Sequence, residues 1–472
     1  MAKDPSPDRS GRSRLADGVA GRANMHFRRA ENFFKSRLLW PRLYRATSYA
    51  KSALWVIPFV AIVLVLAITP PLRALDGWLG WRIAGLGISG AQGLYQTVIT
   101  LTLSFMVFTF GSLLVAIQIA GGQLTPRIIA TTLLRDNVVR YSVGLFVFTL
   151  LFTVMALNRL EETVQELIAL LIAVLGISSI AMFLFLIDYA ARLLRPVTIL
   201  GRVGDEGLKV IEFVYPKMAS EELDPDVPID ARLGEPVRYV RHRGPPEVVL
   251  AIDLETLIFE AKRAGGVIEF IPQVGDFIAF DEPLFALYGE AGRVDDRKLV
   301  ASVAFGSERT LEQDPIFAFR MLVDIGLKAL SPAINDPTTG VLAIDQVHRL
   351  LREVGKRELH GEGIADDGGN LRVIFCTPNW EDFIRISCNE IRNCGAGNVQ
   401  IARRLRAMLD DLHASLPKHR RPSLDAERAC LDHMLDTLYS IPEDRALARL
   451  PDMQGLGGSS GAGRARRAID RA

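Results

Sequence analysis

Four long apolar runs constrain this chain more than any other feature of its sequence. They cover residues 53–72, 97–118, 138–157 and 167–187. A helix needs about 20 mostly apolar residues to cross the hydrocarbon core of a bilayer, and each run is about that long. Four such runs so close together are not typical of buried helices in a soluble domain. The sequence therefore predicts an α-helical membrane domain of four transmembrane helices.

The charges that flank the runs predict the orientation of these helices. Residues 1–51 carry twelve Lys or Arg against four Asp or Glu, whereas the segment after the first run offers only Arg73 and Arg82. Three arginines follow the fourth run: Arg192, Arg195 and Arg202. Because Lys and Arg collect in cytoplasmic loops, we expect a multi-pass protein of the cell inner membrane with both termini in the cytoplasm. The lipid bilayer is its first expected partner.

Composition excludes several classes of function. A net charge of +1 gives no support to nucleic-acid binding. The four cysteines form no C-x-x-C pair and have no accompanying His cluster, so we expect neither a metal site nor a disulfide framework. The chain contains no P-loop, no H-E-x-x-H and no recognisable nucleophile–base pair. We therefore expect no cofactor and no catalytic residues, and a protein that is not an enzyme.

The chain divides into five expected segments. The 23% of charged residues and the 49% of hydrophobic residues are segregated, with the four long apolar runs in the first half. The last residues are rich in Gly, Ser and Arg, a composition typical of disorder. The segments are a basic N-terminal cytoplasmic segment (1–50), the membrane domain (51–195), a linker with a β-rich cytoplasmic module (196–300), a helical α+β cytoplasmic domain (301–445) and a disordered tail (446–472).

The second apolar run carries polar and small residues on one helical face. At 100° per residue these positions fall on a common stripe. Its members are Thr97, Thr100, Ser104, Phe108, Gly111, Val115 and Gln118. One interpretation is close packing of membrane helices, which small residues and hydroxyls favour. The other is that the stripe lines an aqueous path, in which Phe108 and Val115 form apolar constrictions.

Short alternating runs with Gly and Pro turns follow a linking helix near residues 203–214. Residues 248–265 read "VVLAIDLETLIFEAKRAG", which predicts a strand and then a helix capped by Asp253 or Thr256. The rhythm of residues 267–289 is similar to the half-barrel strands of biotinyl and lipoyl domains. It lacks the lysine that carries their prosthetic group. We therefore predict a small β-barrel-like module without one.

The segment "DIGLKALSPAINDPTTG", residues 324–340, crowds polar residues around two prolines. Pro332 and Pro337 predict a helix that ends near residue 330 and a second helix capped by Asp336. Together with Arg309, this segment supplies a candidate cytoplasmic site for an ion or small ligand. The candidate residues are Arg309, Asp324, Lys328, Asn335 and Asp336. The alternative is a polar network that only fixes the helix corner.

Three motifs carry a resemblance to a known family. "ERTLEQDP", "ALSPAINDP" and, after the second run, "QIAGGQLTPR" resemble a bacterial family of predicted membrane proteins, the domain of unknown function 2254. The resemblance covers residues 39–439 in the same order. It implies the membrane topology and a cytoplasmic domain, but no established activity.

These patterns favour an oligomeric channel-like or transporter-like protein with a cytoplasmic regulatory domain. One copy with four spans encloses little space, so an aqueous path along the second span requires a homo-oligomer. The alternative is a membrane-anchored sensor or scaffold without transport activity, whose spans only anchor and associate.

Overall fold

The computed structural model describes residues 55–79, 85, 87–123, 136–160, 164–193, 195–219, 233–359 and 363–457. They belong to two compact units. The helical unit comprises Ser48–Asp224, Pro315–Leu359 and Pro378–Ala472, and the sheet unit includes Pro225–Asp314 and His360–Thr377. Of the predicted tail, residues 446–457 are described and residues 458–472 lie outside the described part.

Among the described residues, four helices of the helical unit are long and apolar enough to cross a membrane, as the sequence predicted. They are α1 (Val56–Leu79), α2 (Ile88–Gln123), α3 (Asn137–Leu157) and α4 (Glu166–Leu193). Helix α2 starts nine residues before the predicted run and has 36 residues, which at 1.5 Å per residue makes it about 54 Å long. Residues 124–127, the end of the "QIAGGQLTPR" motif, lie outside the described residues.

Small residues let the four helices approach closely. A Cβ atom added to Gly144 of α3 would lie 2.6 Å from Cγ2 of Ile57 in α1. A Cβ atom added to Gly176 of α4 would lie 2.9 Å from Cγ2 of Val98 in α2. Such contacts are far shorter than van der Waals distance, so these helices cross where only glycine fits.

The remaining helices of the helical unit follow the spans or return after the sheet segments. They are α5 (Pro196–Val214), α8 (Pro315–Leu330), α9 (Pro337–Val354), α10 (Trp380–Gly395), α11 (Val399–Ser415), α12 (Arg421–Leu438) and α13 (Pro442–Ala448). Asp336 caps α9, and Asn379 caps α10 in a capping box with Asp382. The Asp336 cap confirms the sequence prediction.

Among the residues that the structure describes, the sheet unit contains eight short strands and two fully described α-helices. The strands are β1 (Arg238–Arg241), β2 (Glu247–Ile252), β3 (Val267–Phe270), β4 (Phe277–Ile278), β5 (Pro283–Tyr288), β6 (Val303–Gly306), β7 (Gly363–Ala365) and β8 (Leu371–Phe375). The helices are α6 (Leu254–Ala264), which Asp253 caps, and α7 (Asp296–Val300). The unit's core includes Phe270, Phe285 and Leu257.

These strands form open sheets, and no closed barrel is seen among the described residues. One sheet has the order β1-β5-β3-β8-β7 and the other has the order β4-β2-β6. The barrel-like part of the prediction is therefore corrected. Helix α6 carries the chain from β2 in one sheet to β3 in the other. Strand β3 then pairs in parallel with β8, which comes from a distant segment, so the local hairpin rhythm does not close on itself.

A chain of polar side chains joins α9 to α11. The Arg404 guanidinium lies 2.6 Å from Oδ1 of Asp345 and donates to Nδ1 of His348 over 3.1 Å. On its other side, Nε2 of His348 lies 2.9 Å from Asp411, which also contacts Arg352. Because Arg404 has no acceptor, this geometry assigns the His348 proton to Nε2. Burial and, next, the Arg404 charge lower the pKa of His348.

We predict that acidification destabilises the contact between α9 and α11 and so lowers the thermal midpoint. The decrease should be smaller in the His348→Gln variant. A folded-state pKa below the unfolded value of about 6.5 means that His348 contributes its full stability above that pH. The contribution is lost as the pH falls through the folded-state pKa. The measurement is the thermal midpoint of the purified protein between pH 7.5 and 5. The exposed His433→Gln should keep the wild-type pH dependence, and an unchanged pH dependence in His348→Gln would contradict the assignment.

Candidate functional site

The predicted stripe of the second span faces away from the bundle. Helix α2 turns Tyr95, Val98 and Thr102 into the bundle, where they are at most 5% exposed. The stripe lies on the opposite side and is exposed on the single chain. Its exposed residues are Thr97, Thr100, Ser104, Phe108, Gly111, Val115 and Gln118. Packing within one chain therefore does not account for the stripe.

Gly93 and Gln96 extend this face beyond the predicted run, and Gln92 lies on the flank of the helix, more than 100° from the centre of the stripe at 100° per residue. Gln92, Gly93 and Gln96 are exposed and precede Thr97 on the same helix. These residues are missing from the predicted stripe because the two glutamines end the apolar run, although the helix continues to Ile88. We call Gly93, Gln96 and the seven stripe residues the outer face of α2.

The hydroxyl groups of the outer face bond within their own helix. Thr97 Oγ1 donates to the carbonyl of Gly93 over 2.8 Å, and Thr100 Oγ1 donates to Gln96 over 2.9 Å. Ser104 Oγ donates to the carbonyl of Thr100 over 2.8 Å. These hydroxyls are therefore satisfied even without water. The carboxamides of Gln96 and Gln118 are too polar for a dry lipid contact, because an unsatisfied amide in hydrocarbon costs several kcal/mol.

Open space lies in front of the glycines of the outer face. A Cβ atom added to Gly93 or to Gly111 would meet no other atom within 4 Å. This contrasts with Gly144 and Gly176, which lie at tight crossings inside the bundle. A larger side chain at Gly111 is therefore compatible with the fold of one chain.

Phe108 is the largest side chain of the outer face, and α4 braces it. Its ring is 54% exposed and meets the ring of Phe183 edge-on at a centroid distance of 5.4 Å. The Phe183 ring also stacks on Phe105 at 4.2 Å. Such aromatic pairs add about 0.5–1.5 kcal/mol beyond their burial. The position of Phe108 thus depends on α4.

The outer face carries no formal charge. Helix α2 contains no Asp, Glu, Lys, Arg or His along its whole length. Its outer-face amides and hydroxyls lie between Gln96 and Ser104 and again at Gln118, on either side of Phe108 and Val115. An assembly that encloses this face would hold a neutral polar section, then an apolar section and then the amide of Gln118.

The structure places the candidate cytoplasmic residues in both units. Arg309 belongs to the sheet unit, where its Nε donates to the carbonyl of Gly275 over 2.7 Å and lies 3.8 Å from Asp314. Gly275 has a φ of +96°, and a Cβ atom there would lie 2.5 Å from Oδ2 of Asp314. Nearby, Gln313 accepts from the amide of Ile252 over 3.0 Å. The "ERTLEQDP" motif thus holds the turn before β4.

Asp324 lies on α8 in the helical unit and pairs with Arg320, which lies one turn earlier on the same helix. The Arg320 Nε group donates to Asp324 over 2.6 Å, and Arg320 Nη2 donates to Glu390 of α10 over 3.0 Å. The hydrogen bond to Glu390 raises the pKa of Arg320 and lowers the pKa of Glu390. Lys328 follows one turn later and is half-buried.

Asn335 and Asp336 form the corner between α8 and α9. Asn335 adopts a left-handed φ of +49°, and its amide donates to the carbonyl of Ser331 over 2.8 Å. Asp336 accepts from the amide of Thr339 over 3.1 Å and from its hydroxyl over 2.5 Å. Asn is one of the few residues that adopt this backbone conformation readily, which explains its place in the turn.

Close packing also fixes this corner. A Cβ atom added to Gly340, the first glycine of α9, would lie 2.8 Å from Leu330 and 3.0 Å from Ile401 of α11. Within the described residues, no three His, Cys, Asp or Glu side chains come together as a metal-binding group. The geometry of the corner is that of a capped helix junction.

Comparisons with known proteins point to one family. The family model described as "Predicted membrane protein (DUF2254)" matches residues 51–411. The chain is also similar to uncharacterised proteins of Mycobacterium bovis and Mycobacterium tuberculosis. Each is 22% identical over 416 residues, which cover 84% of this chain and 79% of the relative. No solved structure matches the chain.

Proposed function

The chain belongs to the DUF2254 family of predicted membrane proteins, and from that premise we propose that it is an oligomeric channel-like or transporter-like protein. The outer faces of α2 from several copies surround a shared path. The regions after the spans regulate that path from the cytoplasm. The observation that carries this proposal is the exposure of the whole polar stripe on a span of the single chain.

The amides of the outer face give the energetic reason for association. A carboxamide such as that of Gln96 has no water to bond to in the hydrocarbon core of a bilayer. Association around an axis removes the face from lipid and gives these groups water or a neighbouring copy as partners. Closed cyclic symmetry is the common way in which identical subunits surround such an axis.

The proposal includes an inner-membrane location with both termini in the cytoplasm. Its support is the excess of Lys and Arg before α1 and the arginines after α4. The regulatory role falls to the residues after α4, and the candidate polar residues are Arg309, Asp324, Lys328, Asn335 and Asp336.

The second candidate is a membrane-anchored sensor or scaffold. One observation favours it: the hydroxyls of Thr97, Thr100 and Ser104 already bond to their own helix. The outer face can therefore pack dry against a second copy, as hydroxyl-rich helix interfaces do. The candidate predicts a dimer that carries no flux.

Thiol modification distinguishes the two candidates. Ser104→Cys, in a chain whose native cysteines are replaced, places a thiol on the outer face, whereas Thr102→Cys places one in the bundle two residues away. For a path we expect a charged, water-soluble thiol reagent to modify Ser104→Cys and to block ion or solute flux in liposomes. The Thr102→Cys control should stay unmodified. The path would be contradicted if the protein carries no flux, or if the reagent modifies Ser104→Cys and Thr102→Cys equally.

A further inference from the structure

A buried carboxylate joins two spans to the first helix that follows them. Asp136 precedes α3, and its side chain is 4% exposed. Its Oδ1 atom accepts from the amides of Val138 and Val139, which caps α3. Its Oδ2 atom accepts from the Tyr189 hydroxyl of α4 over 2.5 Å and from Arg202 of α5 over 2.7 Å. We call Asp136, Tyr189 and Arg202 the joint cluster.

The joint cluster is closed on itself. Arg202 Nη2 donates to the Tyr189 hydroxyl over 2.6 Å, so each member contacts the other two. Because Asp136 is buried and Arg202 only partly so, removal of Arg202 leaves the Asp136 carboxylate buried without its cation, which is destabilising. Helix α5 is therefore held to the ends of α3 and α4 in one arrangement as long as Arg202 stays in place.

From the joint cluster, packed side chains lead to the outer face of α2. Tyr189 packs against a core of Val139, Phe146 and Leu186 that also contacts Phe105 and Phe183. Phe183 in turn stacks on Phe105 and braces Phe108 edge-on. A shift of the inner end of α4 thus acts on the one large ring of the outer face.

In the other direction, α5 is tightly docked on the helix pair that carries the "ALSPAINDP" corner. A Cβ atom added to Gly207 would lie 2.9 Å from Ala318 of α8 and 3.0 Å from Leu350 of α9. At Gly204 it would lie 2.3 Å from Oε1 of Gln346 in α9. Two glycines one turn apart leave α5 little freedom to move independently of α8 and α9.

We propose that the joint cluster couples the corner of α8 and α9 to the position of Phe108 and so regulates the path. This inference rests on the proposed function. Displacement of α5 by an event at the corner withdraws Arg202 from Asp136 and Tyr189. The inner end of α4 is then released, and Phe183 no longer holds Phe108 in its present position. The contacts from α8 and α9 to Phe108 are continuous, and they have one arrangement with Arg202 in place and another with Arg202 withdrawn. Such a two-state series of contacts is the physical basis for coupling.

The test places a reporter at the far end of this contact chain. The Phe108→Trp variant is labelled with 5-fluorotryptophan, and the full chain is placed in lipid nanodiscs. Its extra 19F resonance should shift when Arg202→Gln is added. Tyr189→Phe, which removes one hydroxyl and risks the fold less, should shift it in the same direction. Lys209→Gln, on the exposed side of α5, should leave it unchanged.

A third substitution, Phe183→Leu, tests whether the coupling passes through the Phe183 ring. With Phe183→Leu present, Arg202→Gln should no longer move the resonance. The coupling is overturned if Arg202→Gln and Tyr189→Phe leave the resonance in place while the thermal midpoint stays near that of the parent protein. It is also overturned if Lys209→Gln moves the resonance as much.

Flux measurements separate this inference from the proposed function. In liposomes we expect Arg202→Gln and Tyr189→Phe to change flux by about twofold to thirtyfold, the range for substitutions along a coupling route. If Arg202→Gln shifts the 19F resonance but the protein carries no flux, the coupling is supported and the proposed path is contradicted. The opposite result is flux that is blocked by modification of Ser104→Cys, together with a 19F resonance that Arg202→Gln does not move. That result supports the path and overturns the coupling.

Discussion

The variant Gly111→Leu is expected to fold like the wild-type protein and to lose flux by about tenfold or more. Nothing lies within 4 Å of a Cβ atom at Gly111, so the fold of one chain accepts the larger side chain. In a closed assembly each copy would add an isobutyl group to the same level of the path, next to Phe108. An added barrier of about 1.4 kcal/mol lowers a rate tenfold. The measurement is flux into liposomes at matched protein content.

Gly176→Leu is the matched control for this prediction. A Cβ atom there would lie 2.9 Å from Val98, so the substitution should separate α2 from α4 and lower the thermal midpoint. Overpacking of this kind costs about 1–3 kcal/mol or more. Two results would contradict the account: unchanged flux in Gly111→Leu, or a loss of stability as large as that of Gly176→Leu.

The variant Gly207→Leu is expected to detach α5 from α8 and α9. Its Cβ atom alone would lie 2.9 Å from Ala318, and the rest of a leucine side chain finds no room between α8 and α9. We expect a loss of about 3 kcal/mol or more, at the upper end for overpacked cores. The measurement is the thermal midpoint in detergent together with the rate of proteolysis within α5.

Gly201→Leu controls for helix propensity and for added apolar surface. Gly201 lies on the same helix, and a Cβ atom there meets nothing within 4 Å. Its variant should be as stable as the wild-type protein. Equal proteolysis of the Gly201→Leu and Gly207→Leu variants would show that the close contact of α5 with α8 and α9 is not formed in solution.

Local signals in the sequence predicted much of the helical unit. The spans follow from the length of the apolar runs, and Asp336 caps α9 as predicted, as Asp253 caps α6 in the sheet unit. Each of these features depends on side chains within a few residues. The sheets depend on more distant partners. Strand β8 pairs in parallel with β3 across about a hundred residues, and no local pattern specifies that pairing.

In the candidate site, too, the local features could be predicted from the sequence and the long-range ones could not. Periodicity predicted which residues of α2 share a face, but it could not show that this face points away from the other three spans. Arg202 entered the sequence analysis only as a charge that indicates orientation. Its role in the joint cluster requires Asp136, which lies 66 positions earlier in the chain. Arg309 and Asp324 are close in sequence but belong to different units.

The most direct test of the central claim is the arrangement of subunits in a lipid environment. Mass measurement and two-dimensional class averages of the full chain in nanodiscs give the number of copies and the position of α2. The account predicts a closed ring of four or more copies with the outer face of α2 towards the axis. A monomer, or a plain dimer with this face towards lipid or packed dry against its partner, would contradict it.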